Sequence, residues 1–391
     1  MRRVAHVIET IGPGGAERAL LTYLQTMDER RFTHIVVTLH SPTAHFTFWQ
    51  SEFERAGVEV HNLDYRGQRD VARAALALRR WLHVRGVALV STHLYWANIV
   101  GRIAGKLAGV PVISTLHNPD YDEEVRRNWS RSARAKNVVV RALDTWTVRR
   151  CCARLIAVSA YVRERSLEVY RLPEMMIVVI HNPIAPRRTD GSSPLEARQA
   201  LASEFGFSDQ CRLLVNVGRI TEQKGQEDAV RALAALQARS NCVLLLVGSQ
   251  EDAAYVRWVR ELADQLGVSE LVHFAGVRAD LERFLAAADV FVFPTRYEGM
   301  GMAVPEAMLA GRPVVAYDVG PIGEMVHTEV SGLLVSPGDQ AGFTEAIGRL
   351  LDTPALARRL GDNASREMSG RYTPRSQAAA LEALFEETLC S

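Results

Sequence analysis

Residues 294–318 read PTRYEGMGMAVPEAMLAGRPVVAYD. They follow an apolar run, Val290, Phe291, Val292 and Phe293, with the length and composition of a buried strand. Next come Glu298, a turn of Gly299, Met300 and Gly301, then Met302, and a second carboxylate, Glu306, opening an expected helix over 305–310. Gly311 closes that helix, and a further strand is expected over 313–316. Two carboxylates eight residues apart on one strand–loop–helix unit belong at the carboxyl end of a parallel sheet, where open α/β sheets bind ligands. The glycines let backbone amides approach an anion closely, and the helix adds the positive end of its dipole. Taken singly, Glu298 reads equally well as a solvated loop residue, and Glu306 as a first-turn acid favoured by the dipole.

The rest of the second half has the same style. Strands are expected over 213–217, 243–247 and 272–275, and helices over 227–238, 253–266 and 281–287. Gly218 and Arg219 follow the first of these strands, and Lys224 and Gly225 precede the first helix. In the first half, a strand over 3–9 runs into the glycine-rich turn 12–15, then a helix over 16–27 and a strand over 34–39. More strands are expected over 58–63, 89–92, 112–116 and 155–158, with helices over 71–85, 98–108 and 162–170. Apolar strands alternating with helices mean a parallel sheet covered on both faces. The opening turn is no dinucleotide fingerprint, because Glu17 stands where a third glycine belongs. Its amides suit a phosphate or a sugar hydroxyl.

The polar stretch after Pro183 marks a domain boundary. The expected division is a first domain over 1–183, joined by a terminal crossover helix within 372–391, and a second over 184–371. Two doubly wound, Rossmann-like sheets in tandem would place the active site between their carboxyl-end clefts. At 391 residues, two domains fit the length, and no apolar run is long enough to span a membrane. The strand pattern starts at once, so no signal peptide is expected. Five cysteines lack metal or disulfide spacing, which points to a reducing cytoplasm. Residues 1–185 carry 26 Lys+Arg against 17 Asp+Glu, and the remainder 20 against 28, so the halves have opposite sign. Only three of 46 basic residues are lysines: Lys106, Lys136 and Lys224.

Glu298, seven residues, Glu306, Ala307 and Met308, then Ala310 through Ala316 (AGRPVVA) closely resembles the signature of the family-4 retaining glycosyltransferases of the GT-B fold. The resemblance spans both domains and is strongest over 216–332. It implies transfer of a sugar from a UDP or GDP sugar to a hydroxyl acceptor, with retention, without metal or other cofactor, and with no nucleic-acid partner. It implies that Arg219 and Lys224 bind the diphosphate and that Glu306 accepts hydrogen bonds from the ribose. Glu298, with the amides of Gly299, Met300, Gly301 and Met302, would face donor sugar and phosphate. Gly218 belongs to the same loop, and the backbone at Val277 and Arg278 would read the base. In the first half, His117 matches a histidine that contacts the donor sugar, and Gly14 and Gly15 match the family's glycine loop. Asn118 and Ser159 also match, Ser159 reading better as a helix N-cap. Ala185 departs from the family, which carries an acid there. The favoured picture is front-side attack, with the leaving phosphate taking the acceptor's proton.

Three other readings stay open. Asp120 and Asp122 form an Asp-x-Asp pair of the kind that holds a metal in GT-A transferases, inside an acidic loop that also reads as solvated. A nucleotide-sugar epimerase or a non-catalytic nucleotide-sugar sensor would share the donor site. Finally, 126–154 holds nine Lys+Arg against one acid, Asp144, with Trp129, Val138, Val139, Val140, Leu143 and Trp146 interleaved. A helix over 133–150 would read as a docking element for an anionic membrane carrying a lipid-linked acceptor, or as a solvated helix packed by its apolar side.

Overall fold

The computed structural model describes all residues except 29, 41–46, 68–69, 120, 122–130, 186–190, 192 and 391, and the backbone alone for 131–137. The chain divides into two units, Met1–Ile184 with Tyr372–Ser391, and Ala185–Arg371.

The first unit is built on seven parallel strands: β1 (Arg2–Ile8), β2 (Phe32–Thr38), β3 (Glu59–Asn62), β4 (Val87–His93), β5 (Val112–Leu116), β6 (Arg154–Ala157) and β7 (Ile177–Val179). Their order is β3-β2-β1-β4-β5-β6-β7, so the winding reverses between β1 and β4. One face carries Val4, Ile8, Val36, Leu89 and Ile113 against Leu20 and Leu24 of helix Gly15–Leu24 and Leu381 and Phe385 of helix Pro374–Cys390. The other carries Val7, Val37, Val90 and Val112 against Leu78 and Leu82 of helix Val71–Val84 and Val100 and Ala104 of helix Tyr95–Ala108. Burial on both faces explains why the central strands bury apolar residues on both sides rather than alternating apolar with exposed polar ones. The terminal helix is tied in by ion pairs of Arg31 with Glu382 and Glu386 and of Arg154 with Glu387.

Helix Arg131–Cys151 is held to this unit from inside. Asp144 accepts hydrogen bonds from Arg102 (2.6 Å), Tyr170 (2.7 Å) and Tyr121 (3.1 Å), and both members of the Arg102–Asp144 pair are buried. Thr147 and Val148 are buried with it, whereas Val138, Val139 and Trp146 are 68, 72 and 54 % exposed. The helix therefore packs through one part of its apolar surface, Val148 with half-buried Val140 and Leu143, and leaves another part exposed. Arg126, Arg127 and Trp129 lie outside the described residues, as do the side chains of Arg131, Arg134 and Lys136. No helix among the described residues is long and apolar enough to cross a membrane.

The second unit has six parallel strands: β8 (Arg212–Val217), β9 (Cys242–Val247), β10 (Val272–Gly276), β11 (Val290–Phe293), β12 (Val314–Tyr317) and β13 (Leu333–Val335). Their order, β10-β9-β8-β11-β12-β13, reverses between β8 and β11. The sequence reading contains neither β13 nor helices Pro194–Phe205, Gln340–Asp352 and Pro354–Ser369. Three residues are too few to show a period. Helix Pro194–Phe205 did carry a signal, the Ser193/Glu196 capping box that the structure closes reciprocally.

Four histidines run diagonally across one face of the first sheet. His6 and His34 share a hydrogen bond of 3.0 Å; the rings of His6 and His93 lie 5.8 Å apart, and those of His93 and His117 also 5.8 Å. Burial holds all four in the neutral form: His34 and His117 are pushed down to about 4, His93 to about 3, and His6 well below its ordinary value. The unfolded chain binds protons at these positions below about pH 6.5, where the folded chain does not. Acid therefore favours unfolding, by about 2 kcal/mol per histidine at pH 5. Denaturant titrations at pH 7.5, 6 and 5 are expected to show stability falling steeply below pH 6.5, and His93→Gln should flatten that slope.

Candidate active site

In the second unit the loops after β8 and β11 emerge side by side at the point where strand order reverses, the position at which open sheets take ligands. The first loop runs through Gly218 and Arg219 to the short turn Glu222–Lys224, then Gly225 and helix Gln226–Leu236. The second runs from Pro294 to helix Ala303–Leu309. Gly225, at φ +64°, faces the Pro294 carbonyl so closely that a Cβ would stand 2.2 Å from its oxygen. Gly248, after β9, likewise lies against the Gly218 carbonyl, 1.9 Å from where its Cβ would be. Only glycine lets these loops meet.

Hydrogen bonds then stitch the loops together. Arg296 N donates to the Gln223 carbonyl (2.8 Å), Gln223 Nε2 to the Tyr297 carbonyl (2.9 Å) and Thr295 Oγ1 to the Gln223 carbonyl (3.2 Å). The Arg296 guanidinium donates to the Glu222 carbonyl at 2.6 Å and pairs with the buried Glu227, which also accepts from Tyr255. Buried Gln226 donates to the Arg219 carbonyl (2.9 Å) and fixes where that residue leaves the sheet. Gln223, Gln226, Thr295 and Arg296 were absent from the sequence reading. No local pattern marks residues whose role is to bridge distant loops.

This frame brings Lys224 against Glu298 in an ion pair whose side chains are 14 and 7 % exposed. Thr295 Oγ1 donates to the same carboxylate oxygen at 2.9 Å, and the ammonium lies 5.5 Å from the centre of the Phe293 ring. Arg219 is exposed on the same loop and donates to Gln223 Oε1 at 3.2 Å. Glu306 sits half-buried in the first turn of its helix, which begins at Ala303, two residues before the expected start. Gly301 takes φ +71°, where a Cβ would meet Ile322 at 2.7 Å; Met300 is buried and Met302 is the N-cap. After β10, Val277 is 37 % exposed, whereas the Arg278 guanidinium is bound to Glu204 (2.5 Å) and Asp280 (2.8 Å). Arg278 can offer a ligand its backbone, not its side chain.

In the first unit, the winding reverses beside the Gly14–Gly15 turn. Glu17 folds back over that turn, accepting from Thr10 at 3.2 Å, with Oε2 lying 2.2 Å from where a Gly14 Cβ would stand. A carboxylate there opposes a phosphate, which leaves a sugar hydroxyl as the better ligand for these amides. His117 lines a small pocket with His93, Thr115, Tyr23, Asn182 and Leu381, and its buried Nε2 has no hydrogen-bond partner. Ser159 is the N-cap of helix Ala160–Tyr170, accepting from Val162 N at 3.1 Å. Asn118 is exposed beyond β5, and Ala185 opens the second unit. Asp120 and Asp122 lie outside the described residues, among which no group of three His, Cys, Asp or Glu is arranged to hold a metal.

Comparison with known proteins bears on what such a site does. Residues 13–188 match the family described as Glycosyltransferase Family 4, and residues 211–353 that described as Glycosyl transferases group 1. Alpha-maltose-1-phosphate synthase of Mycobacterium tuberculosis is 32 % identical over 291 residues, 70 % of this chain and 72 % of its own length. An uncharacterized glycosyltransferase of Methanocaldococcus jannaschii is 28 % identical over 287 residues, 73 % of this chain and 71 % of its own. The structure of Anabaena HepE in complex with UDP-glucose superposes with a TM-score of 0.84 at 20 % identity, covering 99 % of this chain and all of that one. The two parallel sheets are those of the GT-B fold, and the chain belongs to the group 1, family-4 glycosyltransferases.

Proposed function

We propose that the protein transfers a sugar from a UDP or GDP sugar to a hydroxyl acceptor, with retention at the anomeric carbon and without a metal ion. The observation that carries this reading is the Lys224–Glu298 pair at the switch point of the second sheet, with Arg219 on the same loop. Breaking the sugar–phosphate bond leaves added negative charge on the diphosphate, and fixed cations aimed at it lower the barrier. In this reading Arg219 and Lys224 take the diphosphate, aided by backbone amides at Gly218 and Gly299 through Met302. Glu306 accepts from the ribose, the backbone at Val277 and Arg278 meets the base, and Glu298 meets the sugar. His117, neutral at physiological pH, contacts the sugar through hydrogen bonds rather than charge. Gly14 and Gly15 approach it by their amides. The leaving phosphate takes the acceptor's proton.

The acceptor is proposed to be a lipid-linked or saccharide precursor met at the inner face of an anionic membrane. Support comes from helix Arg131–Cys151, whose Val138, Val139 and Trp146 are exposed beside the exposed Arg149 and Arg150. Asp144, the sole acid of this stretch, is buried, so it does not dilute that charge.

A thermal-shift panel of nucleotide sugars tests the donor: a ligand at 100 times its dissociation constant adds about 2.7 kcal/mol. Glu306→Ala should lose most of that shift. Lys224→Arg should lower turnover at least about tenfold, because a planar fork does not replace a compact ammonium; unchanged turnover would remove Lys224 from the diphosphate site. Product NMR should show a retained anomeric configuration, and activity should survive EDTA; loss on chelation restored by manganese would transfer the role to Asp120 and Asp122. Co-sedimentation should show binding to anionic but not neutral vesicles, weakened by salt and by Trp146→Ala with Arg150→Glu. Absence of binding would point to an acceptor free in solution.

A further inference from the structure

The two cations of the proposed diphosphate site are unequal. Arg219 is exposed and makes a neutral hydrogen bond to Gln223, whereas Lys224 is screened from water against the carboxylate of Glu298. Thr295 holds the same Glu298 oxygen, so that carboxylate is aimed at the ammonium rather than drifting near it. A diphosphate carries the same sign as Glu298. It competes with Glu298 for the Lys224 ammonium, because two like charges on one largely buried cation repel strongly where water is scarce. The Lys224 stem lies along Gly218, where a Cβ would come 3.4 Å from its Cγ and Cδ, an ordinary packing distance.

We propose that Glu298 is a displaceable counter-ion: the incoming diphosphate takes Lys224 from it, and the released carboxylate turns to the donor sugar. This rests on the glycosyltransferase reading and extends it. Glu298 would then weaken diphosphate binding while being needed for turnover, so that its hydrogen-bonding group reaches the sugar only when the phosphates are seated.

The test is calorimetric titration of UDP and GDP into the full-length wild type, Glu298→Gln, Lys224→Ala and the double variant, with turnover measured alongside. Glutamine keeps an acceptor for Thr295 and removes the charge. Glu298→Gln is expected to bind the preferred diphosphate about tenfold tighter, within the range of coupling between touching side chains, while turnover falls. In the Lys224→Ala background the same substitution should change affinity less than about twofold. Unchanged or weaker binding by Glu298→Gln, or equal tightening without Lys224, overturns the inference. If Glu298→Gln proves insoluble, Glu298→Asp, which withdraws the carboxylate, is measured instead and should tighten binding at least about threefold; no tightening overturns the inference equally. A wild type that binds neither nucleotide at millimolar concentration refutes the UDP or GDP donor reading and this inference with it. A wild type that binds while the variants do not tighten refutes this inference alone.

Discussion

The candidate site of the second unit depends on one constraint: two loops separated by 74 residues of chain must lie in contact at the carboxyl edge of a sheet. Parallel pairing of β8 with β11 brings them to the same edge, and glycine at 225 removes the side chain that would keep them apart, while Gly248 lets the loop after β9 close on the first of them. Backbone carbonyls left over at the loop ends find their donors in Gln223, Thr295 and Arg296. Buried polar groups that are fully bonded are rigid, and that rigidity sets where Lys224 and Glu298 stand.

How much of this was legible beforehand varies with its physical origin. Strand identities and their parallel order follow from apolar runs alternating with helices, and eleven of the strands stand within two or three residues of their expected positions. Glu298 and Glu306 stood out as a spaced pair on one strand–loop–helix unit that resembles a known signature, and Lys224 as a rare lysine beside Gly225 in a matching loop. Gln223, Gln226 and Arg296 did not stand out, since their partners are fixed only by folding. Arg278 enters the sequence reading through its backbone alone, and in the fold its guanidinium is taken up by Glu204 and Asp280, from a helix and a turn on either side.

Asp144 illustrates how charge counts mislead. In the sequence it is one acid among nine cations, a small reduction of a basic segment. In the fold it belongs to the interior, where it satisfies Arg102 and two tyrosine hydroxyls. A buried pair of this kind is weak evidence for stability but strong evidence for orientation, because a rotated helix would leave Arg102 uncompensated. The orientation it selects turns Trp146 and Val139 outward.

The first unit is discontinuous: Ala185–Arg371 is an insertion between two parts of it, and the amide of Ile184 bonds the carbonyl of Tyr372 where the chain returns. During synthesis, Met1–Ile184 emerges first, yet the face bearing Phe32, Val36 and His6 lacks Phe385 and Leu381 until the whole second unit has been made. At the usual translation rate of about 5–20 residues per second, that interval lasts roughly ten to forty seconds. The inserted unit, whose sheet draws on no distant segment, can fold while its host waits with an uncovered apolar surface. Until the segment bearing Leu381 and Phe385 emerges, a chain in synthesis therefore leaves this apolar face of the first unit open to water.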